Sequence, residues 1–248
     1  MLRFEDVSFK YKGDINSLMY KTSFSVDKGE FVSIIGPSGC GKSTIFRLIN
    51  ALESPDEGKI LVEGKNSVSG SCGYMPQNDL LMPWRTVCDN VGLPLEIQGL
   101  GKKLSRLRSL EILKEVGLLE YADRYPRDLS GGMRQRASFG RTLLAGSEIL
   151  LLDEPFSALD YLTKISMQEW LLSQWQNLGK TVVFITHDVE EAILLSGRIL
   201  IIGENPISRL EEVVVKLPYP RKRAMLERAD IQELKEELIE KLRMEAVI

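Results

Sequence analysis

The first third of the chain alternates apolar and polar positions in the way that β-strands do. On this pattern we predict short strands over residues 2–9, 19–27 and 30–35. The third segment is the most apolar, which is typical of a strand buried on both faces. We therefore expect residues 30–35 to lie in the centre of a sheet.

The spacing of apolar positions becomes helical after residue 42. Apolar residues between Lys42 and Leu52 follow a helical period, and turn-forming residues follow at 54–58. This part of the chain therefore predicts a strand, a glycine-rich loop, a helix and a turn, in that order.

Residues 86–130 contain few β-branched residues and predict helices rather than strands. From Leu104 to Val116 an apolar residue recurs at every third position, and Gly117 is placed to end that helix. We interpret the region as a helical subdomain inserted into a sheet domain. Apolar segments at 148–153 and 181–186, with a helical pattern between them, then predict a parallel strand–helix–strand unit.

The chain from residue 203 onward is more charged and ends in a predicted amphipathic helix. Asp230 and Glu233 have the spacing of a capping box, and Leu234, Leu238 and Leu242 follow at helical spacing. Such a helix packs on its own domain or serves as a regulatory or partner-binding element, and the sequence leaves both readings open.

Composition then excludes several classes of protein. The 248 residues suffice for one or two domains with a full core, and 32 Lys and Arg are interspersed with 35 Asp and Glu, which argues against a nucleic-acid-binding surface. Strictly apolar runs such as 149–152 are too short to cross a bilayer, and the N-terminus lacks a secretory signal, so we expect a cytosolic chain. Three cysteines and one histidine favour neither a disulfide scaffold nor a zinc site.

The strongest motif follows the predicted central strand directly. It reads Gly36-Pro37-Ser38-Gly39-Cys40-Gly41-Lys42-Ser43-Thr44 and matches the phosphate-binding pattern G-x-x-x-x-G-K-[ST]. Glycines let the backbone N–H groups and the next helix N-terminus face phosphates. Lys42 is placed to reach the β- and γ-phosphates, and the Ser43 hydroxyl to coordinate Mg²⁺. Cys40 is either an accessible thiol within this loop or a small filler residue.

The phosphate-binding loop alone is compatible with kinases, GTPases and ATPases. A pair of carboxylates narrows this choice. Asp153 and Glu154 end the apolar segment 148–153. There one carboxylate is placed to hold Mg²⁺ and the other to polarise an attacking water. Together with the phosphate-binding loop, they predict a nucleotide-hydrolysing site.

The segment from Leu129 to Arg136, Leu-Ser-Gly-Gly-Met-Arg-Gln-Arg, resembles the signature sequence of ATP-binding cassette ATPases. Ser130 and the N–H groups of Gly131 and Gly132, at a helix start, predict a second anion site. The resemblance implies that this site closes on the γ-phosphate held by a second subunit, whereas such a segment alone is more often a flexible cap.

Four further positions extend the resemblance over residues 1–205 with no departure at a motif position. It implies that Tyr11 stacks on adenine and that Gln77 contacts Mg²⁺ and the γ-phosphate. It also implies that the segment ending at Asp160 crosses a dimer interface and that His187 contacts the γ-phosphate. Glu154 and His187 are then the catalytic residues, and the implied Mg²⁺ ligands are Ser43, Gln77 and Asp153.

The resemblance also implies a fold and a domain organisation. The fold is an α/β nucleotide-binding type with a mixed sheet core, an N-terminal antiparallel part and an inserted helical subdomain. Within a single ATPase domain over 1–248, we expect a core at 1–85 and 131–205, a helical subdomain at 86–130 and a C-terminal tail at 206–248.

The purpose of hydrolysis is indicated by the segment after Gln77. Residues 78–87 are rich in apolar side chains, which belong to a core or form a groove for a partner helix. The motif Leu-Met-Pro-Trp-x-Thr-Val is similar to that of importer cassettes for nitrate, sulfonates, taurine and thiamine precursors. The alternatives are a soluble cassette acting on a protein or nucleic-acid complex, and a nucleotide-dependent scaffold whose hydrolysis is incidental.

The importer resemblance implies a set of partners and a location. Two copies of the chain bind two ATP-Mg²⁺ head to tail and act on a separate membrane permease, which receives solute from an extracytoplasmic binding protein. The chain is then a peripheral protein on the cytoplasmic face of the membrane, and no nucleic acid is expected as a partner.

Overall fold

The computed structural model describes residues 1–245, in which the predicted strands and helices are accompanied by further strands that the sequence pattern did not predict. The strands are β1 Leu2–Phe9, β2 Met19–Val26, β3 Phe31–Ile35, β4 Glu57–Val62, β5 Lys65–Asn66, β6 Gly73–Met75, β7 Ile149–Asp153, β8 Thr181–Ile185, β9 Arg198–Ile201 and β10 Glu211–Val214. The α-helices are α1 Lys42–Ile49, α2 Val87–Val91, α3 Leu93–Ile97, α4 Lys102–Glu115, α5 Gly131–Leu144, α6 Tyr161–Leu178, α7 Val189–Leu195 and α8 Ala229–Glu245.

The backbone divides into two compact units. The terminal unit contains both ends of the chain, residues 1–72 and 172 onward, and the central unit contains residues 73–171. The predicted strands at 2–9, 19–27, 30–35, 148–153 and 181–186 are all confirmed, with ends that differ by at most one residue.

The terminal unit contains an antiparallel sheet and a group of mostly parallel strands. The antiparallel sheet has the order β2-β1-β4-β5. In the second group β3 pairs in parallel with β8 on one side and β9 on the other, and β10 joins β9 antiparallel. All five residues of β3 are buried, so the prediction of a central strand is confirmed within this unit.

Helix α1 is shorter than its apolar pattern predicts. It ends at Ile49 rather than near Leu52, because Ala51 has a φ of 51° and so leaves the helical region. The predicted order of strand, loop, helix and turn is otherwise confirmed.

The central unit contains the parallel pair β6–β7 and the helices α2 to α5. Helix α4 exists and stops before Gly117, whose φ is 67°, as predicted. The row of apolar residues does not form one buried face, since Leu104 and Leu107 are 47% and 54% exposed while Leu113 is buried. A step of three residues is about 60° short of a full helical turn, so the row of apolar residues winds around the helix instead of staying on one face.

The buried face of α4 includes two small polar residues in addition to Leu113. Ser105 and Ser109 are buried, and a Cβ added to Gly92 would lie 2.8 and 2.6 Å from their hydroxyl oxygens. The Ser105 hydroxyl donates to the Gly92 carbonyl at 3.2 Å. Small side chains on both partners therefore allow α4 to lie close to the α2–α3 junction.

The last helix is present, but the predicted capping box is wrong. Helix α8 begins at Ala229, so that Asp230 lies inside the first turn rather than at the N-cap. Its carboxylate accepts two hydrogen bonds from the Arg228 guanidinium, at 3.0 and 2.8 Å. An acidic residue in the first turn still complements the helix dipole.

The apolar side of α8 packs within the terminal unit. Ile231 and Leu238 are buried in a cluster with residues of α7, and Leu234 and Leu242 pack against its edge. Of the two readings left open by the sequence, the structure favours a helix packed on its own unit. Among the described residues, no helix combines the length and apolar character that crossing a membrane requires.

A substitution of Gly58 tests how closely the antiparallel sheet is packed. Its φ is 78°, and a Cβ added there would lie 2.3 Å from the Asp6 carbonyl oxygen. Gly64 has the same φ with nothing within 4 Å of an added Cβ, so it serves as the matched control.

We expect Gly64→Ala to lower the free energy of unfolding by about 1–2 kcal/mol, from the left-handed backbone alone. Gly58→Ala adds an overpacking cost of about 1–3 kcal/mol to the same backbone cost. Urea unfolding of both variants measures the difference, and equal losses would contradict the predicted contact.

Candidate active site

The glycine-rich loop joins β3 to α1 in the terminal unit, and its backbone requires glycine at specific positions. Gly41 is the N-cap of α1 with a φ of 101°. A Cβ added to the buried Gly36 would lie 3.1 Å from both the Cβ and the carbonyl oxygen of Ile202. The loop is therefore tightly turned, and it leads into a helix N-terminus, where backbone N–H groups favour an anion.

Lys42 supplies a positive charge within this loop. Its side chain is buried, and the Nζ donates to the carbonyl oxygens of Gly36 at 2.9 Å and Pro37 at 2.7 Å. Ser43, the next residue, is exposed. The loop thus holds an ammonium group against its own backbone, beside an accessible hydroxyl.

Tyr11 is bound to the first turn of α1. Its hydroxyl oxygen lies 3.0 Å from the Thr44 hydroxyl, and Arg47 donates to it at 3.4 Å. The ring is half-buried and meets Phe9 edge to face at 4.8 Å between centroids. Tyr11 is therefore fixed beside the loop helix rather than enclosed in the core.

His187 is exposed in the turn between β8 and α7. Asp188 caps α7 by accepting from the N–H of Glu190 at 2.9 Å, and its own N–H donates to the Thr186 hydroxyl at 3.0 Å. These hydrogen bonds tie the backbone of the turn that carries His187 to the start of α7.

Strand register brings His187 and the glycine loop to the same edge. In the parallel β3–β8 pair, Ile34 lies opposite Ile185. Gly36 and His187 are both two residues further along, so they leave neighbouring strands at corresponding positions. Ligands bind at such carboxyl ends in open α/β sheets.

The central unit repeats this arrangement in its own parallel pair. Met75 of β6 lies opposite Leu152 of β7, and Gln77 and Glu154 are each two residues further on. The Gln77 amide nitrogen donates to the Glu154 carboxylate at 3.2 Å. Asp153, at the end of β7, is buried. The structure therefore brings together the predicted carboxylates and the predicted glutamine.

Glu154 has an unusual backbone conformation. Its φ is 47°, in the left-handed region that a glutamate rarely adopts. Its carbonyl oxygen accepts from the Ser157 N–H at 3.2 Å, the Ser157 hydroxyl at 3.0 Å and the Gln135 side chain at 3.0 Å. These hydrogen bonds offset the strain, which is typical of functional positions.

Gln135 is a positioning residue that the sequence analysis did not assign. Its side chain is buried, and it donates to the Glu154 carbonyl while accepting from the Ala158 N–H at 3.0 Å. Its place in the signature segment was the only available indication, because the side chain's partners come from the fold.

The signature residues begin α5. The Ser130 hydroxyl accepts from the Met133 N–H at 3.3 Å and caps the helix. A Cβ added to Gly132 would lie 3.2 Å from the Ala158 carbonyl oxygen, so two segments approach closely there. Ser130 and Gly131 are exposed.

Asp160 lies immediately before α6 and caps that helix. Its carboxylate accepts from the Thr163 N–H at 3.1 Å, just before α6 begins. Hydrogen bonding to Thr163, first through the side chain and then through the backbone, lowers the pKa of Asp160. The residue is therefore an anionic, exposed cap in this structure.

The segment after Gln77 divides into buried and exposed apolar residues. Leu81 and Val87 are buried, whereas Leu80 and Trp84 are 64% and 73% exposed. Its backbone is held by the Arg141 guanidinium, which donates to the carbonyl oxygens of Asp79 and Leu80. Part of the segment therefore belongs to the core, and the exposed part leaves the partner-groove interpretation as a prediction.

Comparisons with known proteins identify the family. A family model described as ABC transporter matches residues 19–157. The formylaminopyrimidine import ATP-binding protein ThiZ of Halalkalibacterium halodurans is 46% identical over 232 residues, which cover 94% of this chain and 91% of that protein. The taurine import ATP-binding protein TauB of Pseudomonas aeruginosa is 41% identical over 214 residues, covering 86% and 80%.

A solved structure supports the fold. The dimeric ATP-binding cassette MJ0796, in a post-hydrolysis state bound to ADP and Pi, matches with a TM-score of 0.78 at 30% identity, covering 88% of this chain and 100% of that one. With the family model and relatives above 40% identity in agreement, the chain belongs to the ABC transporter family, as one of its ATP-hydrolysing cassettes.

Proposed function

We propose that the chain is the ATP-hydrolysing subunit of an importer, which works as a head-to-tail dimer on a separate permease. The Gln77–Glu154 contact carries the proposal, because it joins the predicted nucleotide sensor to the predicted base. The formylaminopyrimidine and taurine importers named above support a small, polar solute of that kind.

In the proposed reaction, water attacks the γ-phosphorus of ATP while the bond to the β–γ bridging oxygen breaks, yielding ADP, phosphate and a proton. Glu154 orients and polarises the water, as a general base does. Lys42 and the loop N–H groups balance the charge of the phosphates, His187 contacts the γ-phosphate and Tyr11 stacks on adenine.

We assign Mg²⁺ to the oxygen atoms of Ser43, Gln77 and Asp153 from the resemblance, and their chemistry suits a cation that prefers hard oxygen ligands. The Gln77 amide nitrogen donates to Glu154, so the amide oxygen of Gln77 remains for the cation. When bound, Mg²⁺ neutralises negative charge on the phosphates.

The second copy completes the site in this proposal. Ser130, Gly131 and Gly132 at the start of α5 receive the γ-phosphate bound by the loop of the other copy, and the segment ending at Asp160 lies along the interface. The 14-residue length of α5 supports this role, since the dipole and free N–H groups of its first turn favour an anion.

We retain the predicted division of the chain as part of the proposal. A core at 1–85 and 131–205 holds the nucleotide, a helical subdomain at 86–130 faces the permease, and residues 206–248 form the tail. Binding to a permease places the chain on the cytoplasmic face of the membrane, and the binding protein acts only through that permease.

Glu154→Gln tests the catalytic assignment. Removing the base while keeping the side chain's shape is expected to lower hydrolysis by about 10²- to 10⁴-fold. ATP binding is retained, so a dimer accumulates with ATP, measured by size-exclusion chromatography. Glu148→Gln, at an exposed position before β7, is the control. A Glu154→Gln variant that hydrolyses normally and stays monomeric would contradict the assignment.

Alkylation of Cys40 tests nucleotide placement at the loop. Cys40 is partly exposed, whereas Cys72 and Cys88 are buried, and burial raises the pKa of Cys72 to about 12. We expect ATP-Mg²⁺ to slow modification of Cys40 by about tenfold, since bound phosphates shield the loop. Mass spectrometry reads each thiol separately, and the two buried cysteines are internal controls. Equal rates with and without ATP would remove support for an accessible thiol beneath the nucleotide.

Trp84 tests the permease surface. We expect Trp84→Ala to weaken retention by membranes containing the coexpressed permease by about tenfold or more, as loss of an exposed aromatic anchor does. Ile15→Ala, at a position 94% exposed in the terminal unit, is the control. Retention equal to that of the unchanged chain would exclude Trp84 from the interface.

A further inference from the structure

The helix that follows His187 is bound by the C-terminal segment, defined here as residues 206–245, as well as by the sheet. Helix α7 has seven residues, Val189–Leu195, and starts two positions after the histidine. A helix this short has few internal hydrogen bonds, so its position depends on what contacts it. The C-terminal segment contacts it at both ends and along one side.

At the end of α7, a buried arginine binds the free carbonyl groups. The Arg221 Nη1 donates to the carbonyl oxygens of Ile193 and Ser196, both at 2.7 Å. The neighbouring Tyr219 hydroxyl donates to the Leu195 carbonyl at 2.9 Å. These carbonyls lack helical donors, and a cation there also complements the helix dipole. Arg221 therefore fixes the C-terminal end of α7.

At the start of α7, two cations bind one carboxylate. Glu190 lies in the first turn, where Lys235 of α8 donates to its Oε1 at 2.6 Å and Arg223 to its Oε2 at 3.3 Å. Glu190 is three residues from His187, and Asp188 between them caps the helix. The C-terminal segment thus holds the turn that contains the histidine.

Along its side, α7 shares an apolar cluster with the same segment. Ile193 of α7 and Leu238 of α8 are buried in this cluster together with Ile35, the residue before Gly36. The C-terminal segment therefore contacts the supports of both predicted phosphate contacts in this unit, the glycine loop and His187.

We propose that Arg223 and Lys235 are positioning residues for hydrolysis, which act through Glu190 to hold His187 at the nucleotide. The proposal rests on the role of His187 given above. The two ion pairs are about one-third exposed at each side chain, so their direct contribution to stability is small. A placement role predicts loss of turnover without loss of folding.

The test compares the Arg223→Ala/Lys235→Ala variant of the full chain with Lys241→Ala. Lys241 lies on the same helix and pairs with Glu211 and Glu237, which are outside α7. We expect kcat for ATP to fall by about tenfold in the double variant, less than a full displacement of a catalytic group costs. KM and Tm stay unchanged in that variant, and Lys241→Ala keeps the original kcat.

Two further sets of variants distinguish a role in placing His187 from general damage to the fold. Arg223→Lys/Lys235→Arg keeps both charges and restores kcat. Glu190→Gln lowers kcat to the same extent as the double variant, and combining the two changes causes no further fall, as expected for groups that act together. Additive losses, or a fall in kcat that follows Tm, would overturn the proposal.

The histidine itself gives an independent readout. His187 is the one histidine in the chain, so a tag-free sample gives a single imidazole signal by NMR. We expect that signal to shift or broaden in Arg223→Ala/Lys235→Ala and to stay unchanged in Lys241→Ala. An unchanged signal in both variants would overturn the proposal.

His187→Ala distinguishes the two levels of inference. If it leaves hydrolysis intact, the proposed role of His187 fails, whatever the tail variants do. If it abolishes hydrolysis while Arg223→Ala/Lys235→Ala keeps full kcat, the site assignment stands and the positioning role of the tail is wrong.

Discussion

The register of parallel strands is the constraint on which the site depends. In each unit, two neighbouring parallel strands are paired in register, and the residues two positions beyond a directly paired couple are the candidate site residues. Gly36 and His187 leave β3 and β8 in this way, and Gln77 and Glu154 leave β6 and β7. A slip of one residue in either pair would turn every side chain to the other face and separate these groups.

Much of the fold and of the site could be predicted because the relevant information is local. The strands are continuous apolar runs, and the phosphate loop is a contiguous motif whose glycines meet a backbone requirement visible in the sequence, as the φ of Gly41 shows. The family and fold predictions are confirmed for the same reason, since their motifs lie in short segments. The roles of the individual site residues and the predicted domain boundaries stay predictions.

The predictions fail where the spacing of residues along the chain does not reveal which residues they contact in the fold. Apolar residues every third position on α4 identified a helix but not its buried face, which Ser105 and Ser109 form against a glycine. The capping-box spacing at Asp230 was overridden by a bidentate pair with Arg228. Arg221 and Gln135 are polar residues that local pattern places on a surface, yet each is buried because distant backbone groups satisfy it.

The hydrogen bonds of Gln135 also limit which residues this position of the cassette tolerates. A side-chain amide offers a donor and an acceptor together, and Gln135 uses both, on the Glu154 carbonyl and the Ala158 N–H. Glutamate would place an anion against a carbonyl oxygen, and leucine would leave both backbone groups without this partner. Substitutions at position 135 therefore have to preserve both hydrogen bonds, whatever solute is transported, whereas the exposed side chain of Trp84 is not constrained in this way.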